Sequence, residues 1–211
     1  MKRSGFDTMS KYAYPWYIIL HPSDGFHEMR INKKSSLINV AVILVCFFLV
    51  NVYQRMFTDF DFNNYTAGQN NIFILFLSTI GMFFVLAAAN WCFCTLLDGK
   101  GTFKDICTVF AYSLIPYIIV CFITTTLTNV LSLDEGSFLQ YVLVVAALWT
   151  FFIAFAGLQS IHEYTAGGVI GSLVLTIVGA LIIIFIIFLF FMLVQQFYSF
   201  INTIIIELTR R

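Results

Sequence analysis

Charge is what this sequence has least of. Asp, Glu, Lys and Arg make up 10% of its 211 residues, while 60% are apolar and 18% aromatic. A soluble domain carries about 25% charged residues. So little charge excludes a water-facing surface over most of the chain and leaves a lipid-embedded one. The eleven basic residues are balanced by eleven acidic ones, which removes the excess a nucleic-acid partner would need. Cysteine is also too sparse to staple anything. Cys46, Cys92, Cys94, Cys107 and Cys121 lie in or at the start of apolar runs, where they serve as small apolar side chains. Cys92-x-Cys94 lacks the redox spacing and any nearby metal partner, so neither a disulfide framework nor a metal site is expected. No secretory leader is expected either. The one apolar run before residue 36 is Trp16 to Leu20, too short and too late, with no small-residue cleavage site after it. The first spanning helix is therefore expected to be retained.

What is present is five apolar stretches, each near the roughly 20 residues a spanning helix needs. They cover 36–53, 72–97, 105–131, 139–161 and 168–194, and their cores hold no Asp, Glu, Lys, Arg or His. A buried ionisable group would mark a functional site in the membrane. Its absence argues against intramembrane proteolysis and proton-coupled transport. The fold expected is an all-α, polytopic bundle of five transmembrane helices.

Lys and Arg set the expected orientation. Lys2, Arg3, Lys11, Arg30, Lys33 and Lys34 precede the first span, and Lys100 and Lys104 lie between the second and third. The loop at 54–71 has only Arg55 against Asp59 and Asp61, and the loop at 132–138 has Asp134 and Glu135 alone. The N-terminus and the 98–104 loop are expected in the cytoplasm. Arg210 and Arg211, at the far end of the fifth span, oppose that rule. Residues 1–35 form an arm in which Tyr12, Tyr14, Trp16 and Tyr17 favour the headgroup level. Residues 12–20 are expected to lie along the cytoplasmic face, with Lys33 and Lys34 snorkelling at the first span. After the domain at 36–194, residues 195–211 place Phe197, Phe200, Ile201, Ile204, Ile205 and Leu208 on one helical face. That is an amphipathic extension on the outer surface or a partner, or a longer, tilted span.

The most polar interior stretch is LLDGKGTFKD, residues 96–105. A phosphate-binding P-loop needs G-x-x-x-x-G-K-[ST] between a strand and a helix. Here Cys94 holds the place of the first glycine, and no strand precedes the loop. A tight turn accounts for each residue instead. Asp98 and Gly99 suit a turn, with glycine tolerating positive φ. Thr102 and Asp105 form a variant capping box opening the third span, and Phe103 anchors at the interface.

The surrounding stretch ANWCFCTLLDGKGTFKDICTVFAYSLIPYI resembles the central signature of the Yip-domain family, five-span membrane proteins named for Ypt/Rab-interacting proteins. The resemblance to its bacterial branch rests on Asn90 and Trp91 late in span two, on the D-G-x-G-[ST]-F-K-D loop at Asp98, Gly99, Gly101, Phe103, Lys104 and Asp105, and on Ala111 to Pro116. His21, Pro22, Asp24, Gly25 and Phe26 before span one, and Gln195 with Gln196 after span five, resemble it too. The resemblance covers nearly the whole chain. It implies an integral membrane scaffold or adaptor, not an enzyme, working without a cofactor in the bacterial plasma membrane. It further implies an accessory role beside a carbohydrate ABC importer. The resemblance does not extend to the long soluble N-terminal domain expected of the Rab-linked relatives, so a Rab role is not carried over.

Other residues offer alternatives. His21, Asp24, His27 and Glu28 have the side chains of a metal site, but Pro22 and Gly25 break any shared helical face, and an interfacial turn is expected. They are also the one candidate for a membrane-interface enzyme acting on lipid or glycan. His162 and Glu163 could pair as acid and base, yet no nucleophile or metal ligand is near in sequence, so a wet loop is expected. Pro116 should kink span three. Ser113, Thr124, Thr125, Thr126, Thr128 and Asn129 are expected as helix glue; a polar path beginning at Asn90 and 124–129 would instead make the chain a transporter subunit. Small residues recur every four positions: Ala146, Thr150 and Ala154 in span four, and Gly168, Ser172, Thr176 and Ala180 in span five, with Gly167 and Gly171 beside them. They either pack the bundle or receive a partner's helix. Most phenylalanines of spans two, four and five are expected to face lipid. The partners expected are the bilayer and other integral membrane proteins, such as ABC permease subunits or a solute-binding protein.

Overall fold

A computed structural model describes residues 14–31, 35–62 and 71–210, excepting the side chains of Tyr14, Leu133 and Asp134. The expectations for Tyr12, for snorkelling Lys33 and Lys34, and for Arg211 lie outside the described residues. Every regular element described is helical. Five helices are long and apolar enough to cross a membrane: Leu37–Phe57, Ile72–Leu96, Phe103–Thr128, Glu135–His162 and Ala166–Thr209. Lipid offers no partner for backbone N–H and C=O groups, so such segments must satisfy them internally.

The elements in chain order are α1 (Tyr14–Leu20), α2 (Pro22–Ile31), α3 (Leu37–Phe57), a short 3-10 helix (Phe60–Phe62), α4 (Ile72–Phe76), a π-helical segment (Leu77–Gly81), α5 (Met82–Leu96), α6 (Phe103–Ser113), α7 (Ile115–Thr128), α8 (Leu133–His162) and α9 (Ala166–Thr209). Thr102 caps α6. Its hydroxyl accepts from Asp105 N–H, and the Asp105 carboxylate accepts from Thr102 N–H, a closed capping box. Pro116 does more than kink span three. It stands at the second position of α7, and the helix breaks at Leu114 into α6 and α7. The missing proline N–H and the ring's clash with the preceding turn account for the break.

The arm departs from its expected form. Residues 22–31 are a helix, not a turn. Pro22 occupies its first position, where a missing N–H costs nothing. Gly25 sits inside it because α1 crosses there: a Cβ on Gly25 would lie 2.7 Å from Ile18 Cγ1. Nor does the arm merely lie along a face. Ile18, Phe26 and Met29 are fully buried among Ile106 and Val109 of α6 and Ile153, Leu158 and Ile161 of α8. Phe26 fits over Gly157, where a Cβ would come within 2.9 Å of its ring and 2.5 Å of Val109 Cγ1. Trp16 and Leu20 point outward. The shared core therefore gathers at the arm end of the bundle.

Phenylalanines mostly face outward, as at Phe73, Phe84, Phe151, Phe185 and Phe190, but Phe83 is buried in the core. Phe93 lies against Gly179, which has no side chain to obstruct it. The last helix is the longest: 44 residues, about 66 Å at 1.5 Å per residue. That is twice the roughly 30 Å of a hydrocarbon core. Its principal packing partner is α5, and its buried residues, Val169, Ser172, Thr176, Gly179 and Ala180, all lie in its first half.

Candidate functional site

The arm end brings three separated segments onto one another. α5 ends at Leu96, and the chain turns through Asp98, which adopts the left-handed conformation at φ 56°. The positive φ thus falls on Asp98, not on a glycine. The glycines serve space. A Cβ on Gly99 would lie 2.5 Å from His162 Nδ1, 2.6 Å from the Tyr164 hydroxyl and 2.7 Å from the Cys94 carbonyl oxygen. One on Gly101 would lie 2.9 Å from His162 Cε1. The loop backbone presses flat against the end of α8, which stops as Glu163 also turns left-handed.

His162 corrects the sequence reading. It is 2% exposed, not part of a wet loop. Its ring stacks on Tyr164 with centroids 5.2 Å apart, and its Nδ1 accepts from Gly101 N–H at 3.4 Å. An accepting Nδ1 places the proton of the neutral ring on Nε2, which is buried without a partner. Tyr164 donates to the carbonyls of Cys94 and Leu97 at 3.3 and 3.1 Å. Burial pushes its hydroxyl up to about 12, with the neighbouring Cys94 adding to the rise, so it stays a donor at neutral pH.

Glu163 ties the assembly together. One carboxylate oxygen accepts from Arg30 of the arm at 2.6 Å and the other from Lys100 of the loop at 2.5 Å. Hydrogen bonds from Lys100 and then Arg30 hold its carboxyl below the usual range. Arg30 also reaches the Ser160 carbonyl at 3.5 Å, and the Ser160 hydroxyl donates to the Ser23 carbonyl at 3.2 Å. This is a latch of polar groups that hold backbone to backbone. The pair is exposed to water, so its stabilisation is modest. Its sign is clear. A carboxyl depressed in the folded state contributes above its unfolded pKa and loses that contribution as pH falls through the folded one. Glu163→Gln is expected to leave thermal stability near wild type at neutral pH. It should remove part of the acid sensitivity below the ordinary carboxylate range, as read from unfolding in detergent micelles at a series of pH values.

The other residues singled out from sequence divide between this end and the bundle interior. Pro22, Gly25 and Phe26 are buried in the arm, while His21 is exposed and stacks on Tyr17 with centroids 5.0 Å apart. Asp24 and His27 are exposed on α2, and among the described residues no three His, Cys, Asp or Glu side chains gather as metal ligands. Trp91 meets Phe103 edge-on at 6.0 Å, on the outer side of the loop. Lys104 is exposed, and Asp105 belongs to the capping box.

Asn90 is fully buried and donates to Thr176 Oγ1 at 2.9 Å, joining spans two and five. Ser172, Thr176 and Ala180 face α5 with it, whereas Gly168 is exposed, and at Gly167 and Gly171 a Cβ would meet open space. The stripe is thus divided between bundle packing and an open surface. In span four, Ala146 is buried and Ala154 half-buried, while the Thr150 hydroxyl is buried without a partner. Interhelical bonds between neutral groups in membrane proteins average about 0.6 kcal/mol. Asn90→Leu is accordingly expected to cost little more than that, measured by thermal unfolding in micelles. A loss several times larger would show a further role for the amide.

Sequence reasoning reached the loop but missed Arg30, Gly157 and Tyr164, and misplaced His162. The available signal was the tandem His162-Glu163-Tyr164 directly after an apolar run, where a charge latch and a flat aromatic can close a helix end.

Comparison with known proteins bears on the same residues. Neither the curated proteins nor the solved structures provide a match. The model of the Yip1 domain matches residues 16–193, from Trp16 of the arm into the fifth span. With its five apolar helices, the chain is a multi-pass membrane protein and belongs to the Yip1 domain family.

Proposed function

We propose that this protein is a non-enzymatic accessory or scaffold protein that binds other integral membrane proteins. One observation carries the reading. From Leu181 to Arg210 the last helix has no buried residue, although it presents Phe185, Phe188, Phe197, Phe200, Ile204 and Leu208. About two thirds of a helix twice as long as the bilayer is thick is left for lipid and for a partner. The polar groups at the arm end support a structural role: His162, Glu163 and Tyr164 are engaged with the loop and the arm, an arrangement that fixes geometry. The excess of Lys and Arg on the arm and the 98–104 loop supports a cytoplasmic N-terminus, and the family resemblance supports a bacterial plasma membrane. The narrower form of the reading takes the partners as permease subunits of a carbohydrate ABC importer, and it rests on family resemblance.

The test is affinity purification of the full chain from native membranes in mild detergent, beside a chain ending after Val194, with mass spectrometry of what stays bound. The expected result is stoichiometric recovery of another integral membrane protein with the full chain and its loss from the shortened one. Recovery of the full chain alone would overturn the scaffold reading. Recovery of a partner other than a permease would remove only the narrower form.

A further inference from the structure

A second polar feature lies at the opposite end of the bundle, away from the latch. The far ends of α3, α7 and α8 line a half-open cavity of about 140 Å³. Its polar lining is Gln54, Thr58, Thr124, Thr125, Thr128 and Gln140. Phe62 closes over Gly136 on one side, so tightly that a Cβ there would overlap the ring.

The four threonine protons are already committed. Thr58 donates to the Gln54 carbonyl. Thr124 donates to the carbonyls of Val120 and Cys121 at 2.9 and 3.1 Å, Thr125 to that of Cys121 at 2.8 Å, and Thr128 to that of Thr125 at 2.7 Å. A hydroxyl has one proton and two lone pairs. With the proton turned back into the helix, what remains for the cavity is acceptor capacity. Thr124, Thr125 and Thr128 are buried, so these acceptors are fixed in place. The side-chain amides of Gln54 and Gln140 can turn their oxygens inward as well.

The stretches that frame the cavity are acidic. Residues 54–62 and 129–140 hold Asp59, Asp61, Asp134 and Glu135 against the single base Arg55. The Asp59 N–H itself bonds to Thr128 Oγ1 at 3.4 Å. A concave site with one sign of charge around it concentrates the opposite ion. A ligand that meets these threonines must bring its own hydrogens and is favoured if positively charged.

We propose that this cavity binds a small cation bearing N–H donors, a primary ammonium group. The acceptors of Thr124 and Thr125 and the amides of Gln54 and Gln140 receive its hydrogens, and the acidic rim draws it in. The cavity volume limits the ligand to a few heavy atoms, or to the amino end of a longer amine.

The experiment compares methylammonium with tetramethylammonium, both as chlorides at equal ionic strength. The two carry the same charge, but only the first has N–H groups. The full chain is unfolded thermally in detergent micelles, with exposure of the buried thiols Cys94, Cys107 and Cys121 as the readout. The exposed Cys46 and Cys92 are replaced by serine. At ten times its Kd, methylammonium is expected to raise the Tm by about 3 °C, and tetramethylammonium to leave it unchanged. Equal shifts from both salts would mean that only the acidic rim acts, and would overturn the proposal, as would no shift from either. In Thr124→Val/Thr125→Val the shape is kept and the acceptors are lost, so the methylammonium shift should disappear. A retained shift would overturn the assigned contacts. Thr128 is left in place because it also accepts from Asp59. The comparison of salts on the unaltered threonines decides the proposal even where the double variant folds poorly.

Discussion

Gly99→Ala is expected to destabilise the protein by about 2–3 kcal/mol, within the range for forcing extra volume into a packed site. The substitution adds a single methyl group and would raise helix propensity in most settings, so a loss is informative. The added Cβ would meet His162 Nδ1 at 2.5 Å and the Tyr164 hydroxyl at 2.6 Å, and both of those rings could shift. The Cys94 carbonyl at 2.7 Å could not, because it already accepts from Gly99 N–H and Tyr164. A double-mutant cycle separates the two causes. His162→Ala removes one of the two movable obstructions, so Gly99→Ala should cost less in that background than in the wild type, yet still cost something. Thermal unfolding in micelles gives all four corners. Stability within about 0.5 kcal/mol of wild type for Gly99→Ala, the spread of neutral surface changes, would mean that the loop is not pressed against α8.

Phe26→Ala is expected to be more damaging still, by about 3–5 kcal/mol, and to free the arm. Phe26 is fully buried where α2, α6 and α8 meet, packed over Gly157. Truncation leaves a cavity whose walls, Val109 and the α8 backbone, belong to spanning helices and cannot easily close in. Gly157→Val should reach the same phenotype from the other side by filling the space the ring occupies. Arg30 reports on both. In the wild type it is held by Glu163 and the Ser160 carbonyl, so trypsin should cut after it slowly. In either variant, cleavage after Arg30 should rise at least tenfold while the spans stay intact. Unchanged protection in both variants would show that the polar latch alone holds the arm.

These two glycines mark where sequence reading stopped. Gly99 was legible as a turn residue, but for the wrong reason: positive φ was expected of it, and Asp98 takes that conformation. Nothing local records that His162, 63 positions away in the chain, comes to rest against its α-carbon. Gly157 carried no signal, since a glycine in an apolar run reads as one more small residue. Pro22 and Gly25 pointed to a turn, because both are poor in helix interiors. The helix forms anyway, with proline at its first position and glycine at the crossing with α1. Tertiary contact outweighs a propensity penalty of about 1 kcal/mol.

By contrast, the five spans, the capping box of Thr102 and Asp105, and the interruption at Pro116 follow from the sequence alone. Each rests on a local rule. Lipid leaves a long apolar segment no alternative to an internally bonded helix. A cap is closed by residues three apart, and a proline always lacks its N–H. Which faces meet is a different kind of fact. In lipid the apolar surface of one helix is much like that of another, and no hydrophobic drive selects between them. Close fit selects instead, together with a few polar pairs: Phe26 on Gly157, Phe93 on Gly179, Asn90 with Thr176, and Glu163 between Arg30 and Lys100. Those pairings join residues more than eighty positions apart in the first three cases, and 133 and 63 apart in the last. The sequence by itself determined that this is a five-span helical membrane protein. Only the tertiary structure decided that its arm is part of the core, because that depends on shapes that meet across the fold.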